Sequence, residues 1–211
     1  MTMKMKLAAV VTGAVALLWS MPAHASTVSI AFGTPGNVVA GPAPGLTANT
    51  PPGSLGTFSA NLVGLSGDSM TNPLFSVSQN VAASPGTMNV FVTSTDNTPL
   101  GPSFLSSMTT NILPAGWTVE LKTWIGPDDT AFGMQTLIGD QILSAAGTAQ
   151  VTMGASPADP YSVTAEYIIT ASTPGTALST IEVISAPEPS ALLLLGTGLL
   201  GLCFGLRRKH S

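Results

Sequence analysis

The chain has 211 residues and a formal charge of −4, with only 8% charged residues. Between Ser26 and Ser185 it holds one basic residue, Lys122, against nine Asp and Glu, and no Cys, His or Arg. That excludes nucleic acid, whose phosphates need Lys and Arg, and removes the usual side chains of Ser-His-Asp and Cys-His catalysis and of zinc, haem and iron–sulfur sites.

Residues 1–25 read as a secretory signal peptide. Lys4 and Lys6 form a positive start, and Leu7 to Met21 is an uncharged run rich in Leu, Ala and Val. Pro22 then breaks any helix, and Ala23 and Ala25 are the small residues at the two positions a signal peptidase reads. Cleavage after Ala25 leaves Ser26 as the new N-terminus. The run falls short of the about 20 apolar residues of a comfortable membrane span. An uncleaved anchor is the plainer alternative.

Residues 26–185 form a body of one domain's size, large enough to bury a core. Without cysteine it has no disulfide, so its stability must come from packing. Period-two alternation recurs along it, the mark of half-buried strands. Val28, Ile30 and Phe32 share a face over Thr27 to Phe32. The piece 33–56, rich in Pro, Gly, Ala, Thr and Asn, reads as a loop or disordered segment. From Leu74 to Val81, Phe75, Val77 and Val81 lie opposite Ser76, Ser78 and Asn80. Met88 to Thr95 suggests burial on both faces. Trp117, Val119, Leu121, Thr123 and Ile125 share a side, opposite Glu120, Lys122 and Trp124. Met134 to Ala146 is the least strand-like piece, a strand and loop with room for a short helix. Tyr161, Val163, Ala165, Tyr167 and Ile169 make the cleanest stripe, and Ile181 and Val183 mark the last strand.

Pro- and Gly-rich turns such as Ser84-Pro85-Gly86 and Gly126-Pro127-Asp128-Asp129 separate these runs. Seven to nine such strands, with no sustained helical period and no internal repeat, predict an antiparallel β-sandwich followed by a C-terminal hydrophobic helix.

Three groupings within the body invite a chemical reading. Asp128 and Asp129 sit in a turn and are weak calcium candidates, since calcium takes six to eight oxygens from flexible loops. A solvated turn is the plainer reading, because Asp favours turns for its backbone hydrogen bonds and no Asp-x-Asp-x-Asp spacing supports calcium. Glu120, Glu166 and Glu182 fall on strands, where two carboxylates about 5–9 Å apart can form a glycosidase pair. Their alternation with apolar residues instead places them on solvent-facing positions. Trp117, Tyr161 and Tyr167 belong to the core by the same pattern, leaving Trp124 as the one outward aromatic for a sugar ring.

The tail, residues 186–211, is a second signal. Pro187-Glu188-Pro189 stays extended, because a residue before proline avoids the helical region. Ala191 to Leu206 follows without a charge, a marginal helix of about 24 Å against a hydrocarbon core of about 30 Å. Gly201-x-x-x-Gly205 within it fits close helix packing, a spacing that Gly-rich tails produce readily. Arg207, Arg208 and Lys209 form a basic stop that marks the cytoplasmic side.

In combination these features resemble the PEP-CTERM sorting signal. The resemblance implies recognition by an exosortase, an integral-membrane cysteine protease, after a transient stay in the inner membrane of a Gram-negative bacterium. It also implies release to the cell surface or to a biofilm or floc matrix of exopolysaccharide. It covers Ala186 to Lys209 and says little of the body. The expected partners are signal peptidase, exosortase, the inner membrane and exopolysaccharide. The leading expectation is a structural or adhesive surface protein that is not an enzyme and needs no cofactor. A carbohydrate-binding module and a polysaccharide-active enzyme using two carboxylates are the alternatives.

Overall fold

The computed structural model describes residues 26–49, 55–65 and 72–186, and among them twelve strands and no helix. In chain order these are β1 (Thr27–Phe32), β2 (Val38–Ala43), β3 (Gly45–Asn49), β4 (Phe58–Leu65), β5 (Leu74–Ala82) and β6 (Gly86–Asn97). They continue with β7 (Ser103–Ile112), β8 (Thr118–Gly126), β9 (Thr136–Leu143), β10 (Gly147–Gly154), β11 (Tyr161–Ala171) and β12 (Gly175–Ala186). All pairings are antiparallel, in two six-stranded sheets ordered β2-β1-β6-β11-β8-β9 and β10-β7-β12-β5-β4-β3. We call them the first and second sheet.

The sandwich expected from alternation is present, with twelve strands rather than seven to nine. The stretch 33–56, expected as a loop, carries β2 and β3. Each is an edge strand, one per sheet, so this segment carries the chain from the first sheet to the second. Pro42 is tolerated in β2 because an edge strand has backbone groups that need no ladder partner. Gly41 has a φ of +120°, and a Cβ there would lie 2.6 Å from Ser29 Cα and 2.7 Å from the Val28 carbonyl oxygen. Glycine therefore lets β2 close onto β1. The ambiguous Met134 to Ala146 piece holds β9, and β9 and β10 make the matching crossing at the opposite edges. The expected tail helix lies outside the described residues.

The core lies between the sheets. From the first sheet come Ile30, Phe32, Val90, Trp117, Leu121, Tyr161 and Tyr167; from the second, Leu62, Leu74, Phe104, Met108 and Ile181. Phe104 meets Tyr161 edge-on, with ring centroids 5.7 Å apart. The aromatic residues assigned to the core by alternation are fully buried.

On β5 the inward face is the reverse of the hydrophobic one. Ser76, Ser78 and Asn80 are buried, while Phe75 and Val77 are half-buried and Val81 is exposed. The volume is filled from the opposite sheet: Tyr167 crosses the core and donates its hydroxyl to the Ser76 carbonyl at 3.1 Å. Ser78 and Asn80 satisfy each other, with Asn80 Nδ2 donating to Ser78 Oγ at 2.8 Å. Small polar groups paired locally suit positions that face large side chains better than another layer of large ones.

A second inter-sheet link stands near the β9 edge. Ser106 Oγ of β7 lies 2.8 Å from Thr123 Oγ1 of β8, and Gln141 Nε2 of β9 donates to the Ser106 carbonyl at 3.0 Å.

Candidate functional site

Four of the body's ten charged residues, among them its one basic residue, gather on the outer face of the first sheet. Strand register sets them there: Phe91, Glu166, Lys122 and Asp140 stand in one row across β6, β11, β8 and β9. The next row on one side is Asn89, Ile168, Glu120 and Ile142. The next on the other side is Thr93, Thr164, Trp124 and Leu137. Side chains two apart on a strand share a face, which is why Glu120, Lys122 and Trp124 come together.

The polar groups hold one another in place. Asn89 Nδ2 donates to Glu166 Oε1 at 2.7 Å. Lys122 Nζ contacts Glu120 Oε1 at 2.9 Å, with both side chains about 30% exposed (30% and 28%). Burial raises the Glu166 carboxyl above its usual range; the Lys122 charge and the Asn89 hydrogen bond oppose that rise. The hydrogen bond from Lys122 to Glu120 raises the Lys122 ammonium, with the nearby carboxylates adding to it. Thr93 and Thr164 hydroxyls meet at 3.0 Å and floor the neighbouring row.

A loop from β8 to β9 folds back over this face. Within it Phe132 adopts a φ of +59°, an uncommon conformation for a bulky residue. Its amide donates to Thr93 Oγ1 at 3.1 Å, and Gly133 N donates to the Thr130 carbonyl at 3.0 Å. The backbone of the half-buried Phe132 thus meets the row that Trp124, also half-buried, occupies two strands away. Phe132 belongs to no alternating run, so no sequence pattern marked it.

The expected site residues separate accordingly. Glu120 and Glu166 are diagonal neighbours on this face, whereas Glu182 lies on the outer face of the second sheet, taking a hydrogen bond from Asn72 Nδ2 at 2.7 Å. The carboxylate-pair reading is reduced to Glu120 and Glu166. Glu166 is only 9% exposed, deeper than a solvent-facing position implies, because it stands between Phe91 and Lys122.

Asp128 and Asp129 act as turn caps. Asp128 accepts from Thr130 N and from Gln135 Nε2 at 2.8 Å, and Asp129 Oδ1 accepts from Asp96 N at 2.8 Å. Burial, with the charges of Asp96, Asp128 and Asp159, pushes Asp129 up, against the hydrogen bond from Asp96. Among the described residues no three His, Cys, Asp or Glu side chains are grouped to hold a metal ion.

The final strand, β12, ends at Ala186, and the chain runs directly into Pro187-Glu188-Pro189. The model of the PEP-CTERM protein-sorting motif matches residues 185–209. The chain carries a PEP-CTERM sorting signal. Its motif residues Pro187, Glu188 and Pro189 lie outside the described residues, as do Arg207, Arg208 and Lys209 and the signal-peptidase positions Ala23 and Ala25. Among the described residues no helix is long and apolar enough to cross a membrane.

No curated protein sequence matches the chain. Solved structures with a loose likeness include the CBM22-1 and GH10 modules of Clostridium thermocellum xylanase 10B with xylohexaose, at 9% identity and a TM-score of 0.36. That match covers 54% of this chain and 22% of that one, so the chain spans about a fifth of its length. TmCBM61 with β-1,4-galactotriose shows 8% identity and a TM-score of 0.37, over 69% and 90% of the two chains. The K3 adhesin domain of Lys-gingipain from Porphyromonas gingivalis shows 10% identity and a TM-score of 0.38, over 53% and 73%. Likenesses this loose say nothing of what this chain binds.

Proposed function

We propose that this is an exported protein, sorted by an exosortase through its C-terminal tail to the cell surface or extracellular matrix of a Gram-negative bacterium. There it acts by its presence rather than by turnover. The observation that carries this reading is the sorting motif at residues 185–209. The body supports it: a packed sandwich without Cys or His suits an exposed, hydrated setting.

Glu188 is the charged residue of the Pro-Glu-Pro motif, and its carboxylate can make a charge-assisted contact with a protease pocket. In a host with its exosortase, Glu188→Ala should leave export intact and hold the protein in the membrane fraction. Cell fractionation with an epitope in the body reads this. Release as efficient as wild type would refute the sorting role of the motif.

A second reading, that the body holds matrix polysaccharide, is favoured by one observation: Trp124, Asn89, Glu120, Lys122 and Glu166 share one outer sheet face.

A further inference from the structure

We infer that β10 is a docking edge for a second copy of this chain, which joins it antiparallel across a two-fold axis so that the second sheet continues from one molecule into the next. This goes beyond the sorting proposal and does not rest on it.

A sheet edge bears backbone N–H and C=O groups ready to pair with another strand, and proteins that stay apart blunt their edges with proline, bulges, charges or short strands. Three of the four edges here are blunted in these ways. β2 holds Pro42, a φ of +120° at Gly41 and two register shifts against β1. β3 is five residues long. β9 carries the exposed Asp140 and a register shift against β8. β10 has none of these devices. It pairs with β7 through all eight of its residues without a shift, holds no proline and no charge, and exposes six of the eight. Its one ladder partner is β7, and among the described residues no hydrogen bond closes the free side. β9 belongs to the other layer and meets the inward side of β10, where a Cβ on Gly139 would stand 3.3 Å from Val151 Cγ1.

The side chains of this edge select a second copy. Thr148, Gln150 and Thr152 are exposed on its outward face and read alike in both directions. Antiparallel pairing centred on Gln150 sets Thr148 of one copy opposite Thr152 of the other, and Ala149 opposite Val151. It also sets Gly147, the smallest residue, opposite Met153, which is 44% exposed. Thr–Thr pairs across strands are favourable, and Thr109 and Thr148 already meet at 2.9 Å within the sheet. A strand without charge offers nothing to a partner recognised by charge and nothing that repels its own copy. One strand pair is small beside a standard interface, so the dimer is weak and depends on concentration.

The test is sedimentation velocity of the full-length protein in a neutrally buoyant detergent, with Cys203→Ser as the background. A reversible dimer should form. It should tighten with salt as the Debye length falls from about 30 Å to about 8 Å, because nine acidic residues against one basic make the bodies repel. Gln150→Lys sets like charges opposite each other and should weaken association at least tenfold with the β spectrum unchanged. An equal mixture of Gln150→Lys and Gln150→Glu should associate more tightly than either alone. Residues directly opposite on antiparallel strands have Cα atoms about 4.5–5.5 Å apart, within disulfide range. Gln150→Cys should therefore cross-link under mild oxidation, and Asn61→Cys, exposed on the interior strand β4, should not. A monomer at every concentration overturns the inference. So does a dimer that weakens with salt, one that persists in Gln150→Lys, or equal cross-linking at both positions.

Discussion

Tyr167 of the first sheet donates its hydroxyl to the Ser76 carbonyl of the second, 3.1 Å away across the core. One side chain therefore supplies both the bulk that fills the space over β5 and a polar tie between the sheets. Burial pushes the Tyr167 hydroxyl far above its usual range, so it stays a donor at any pH the protein meets. Tyr167→Phe keeps the bulk and removes the tie. A net hydrogen bond is worth about 1 kcal/mol, which for a domain of this size lowers Tm by about 2–4 °C. Tyr167→Ala removes both and should cost about 3–5 kcal/mol. Thermal melts followed by near-ultraviolet circular dichroism separate the two, and equal losses would show that the tie carries the whole contribution and the bulk none.

This pair also shows where alternation is legible and where it is not. Trp117, Tyr161 and Tyr167 recur with strict period two, and each is buried as that period requires. On β5 the same period is equally clear, yet the serines face inward and Phe75 and Val77 outward. Period two says that two faces exist. Which one is the core depends on the volume the opposite sheet has already filled, and that volume is fixed by residues nearly a hundred positions away. The edge strands β2 and β3 escape notice for another reason. Pro and Gly weaken a central strand and are harmless at an edge, so composition read as loop was compatible with strand. The candidate face was half visible: Glu120, Lys122 and Trp124 align within one strand, but Asn89, Glu166 and Phe132 join them only through cross-strand register and a folded-back loop.

Gly41 is the point where β2 depends on a missing side chain. Alanine there needs a φ of +120° and places its Cβ against the backbone of Val28 and Ser29, which cannot give way as a flexible side chain would. Gly41→Ala should destabilise by about 2 kcal/mol or more and release β2 first. Hydrogen exchange should show the amides of Val38 and Ala40 losing protection while those of β6 and β11 keep theirs. Uniform loss across the first sheet would contradict an edge strand held at this site.

Glu166 makes stability fall with rising pH. Its carboxyl is raised in the folded protein, chiefly by burial, so the native state holds a proton that the unfolded chain has already lost. Stability from this group is fully present below the unfolded carboxylate pKa and is lost as pH climbs through the raised folded value. Glu166→Gln can still accept from Asn89 and has no charge to bury. It should flatten the decline in Tm above about pH 4.5 and leave the protein at least as stable at neutral pH. An unchanged Tm profile in the variant would mean that Lys122 and Asn89 already compensate the carboxylate.

The junction between body and tail sets the last prediction. The strand β12 is paired through Ala186, and Pro187 follows with no intervening linker. Its final residues are held on one side only: Ile184, Ser185 and Ala186 pair with Leu105, Phe104 and Ser103 of β7, whereas pairing with β5 stops at Val183 and Leu74. Ser185 Oγ also accepts a hydrogen bond from Leu100 N at 3.2 Å. If an exosortase takes Pro187-Glu188-Pro189 as an extended peptide, the folded sheet stands within a residue of its substrate. Each residue of extended chain adds about 3.3–3.6 Å of reach, so six Gly and Ser residues inserted after Ala186 set the body back by up to about 20 Å. Pulse-chase fractionation should then show faster disappearance of the membrane-bound precursor, with the same released body. Ser185→Val, which removes the bond from Leu100 and loosens the end of β12, should shift processing in the same direction by less. A spacer that slows release would mean that the protease reads the end of the sheet together with the motif, and that the abutting strand is part of its substrate.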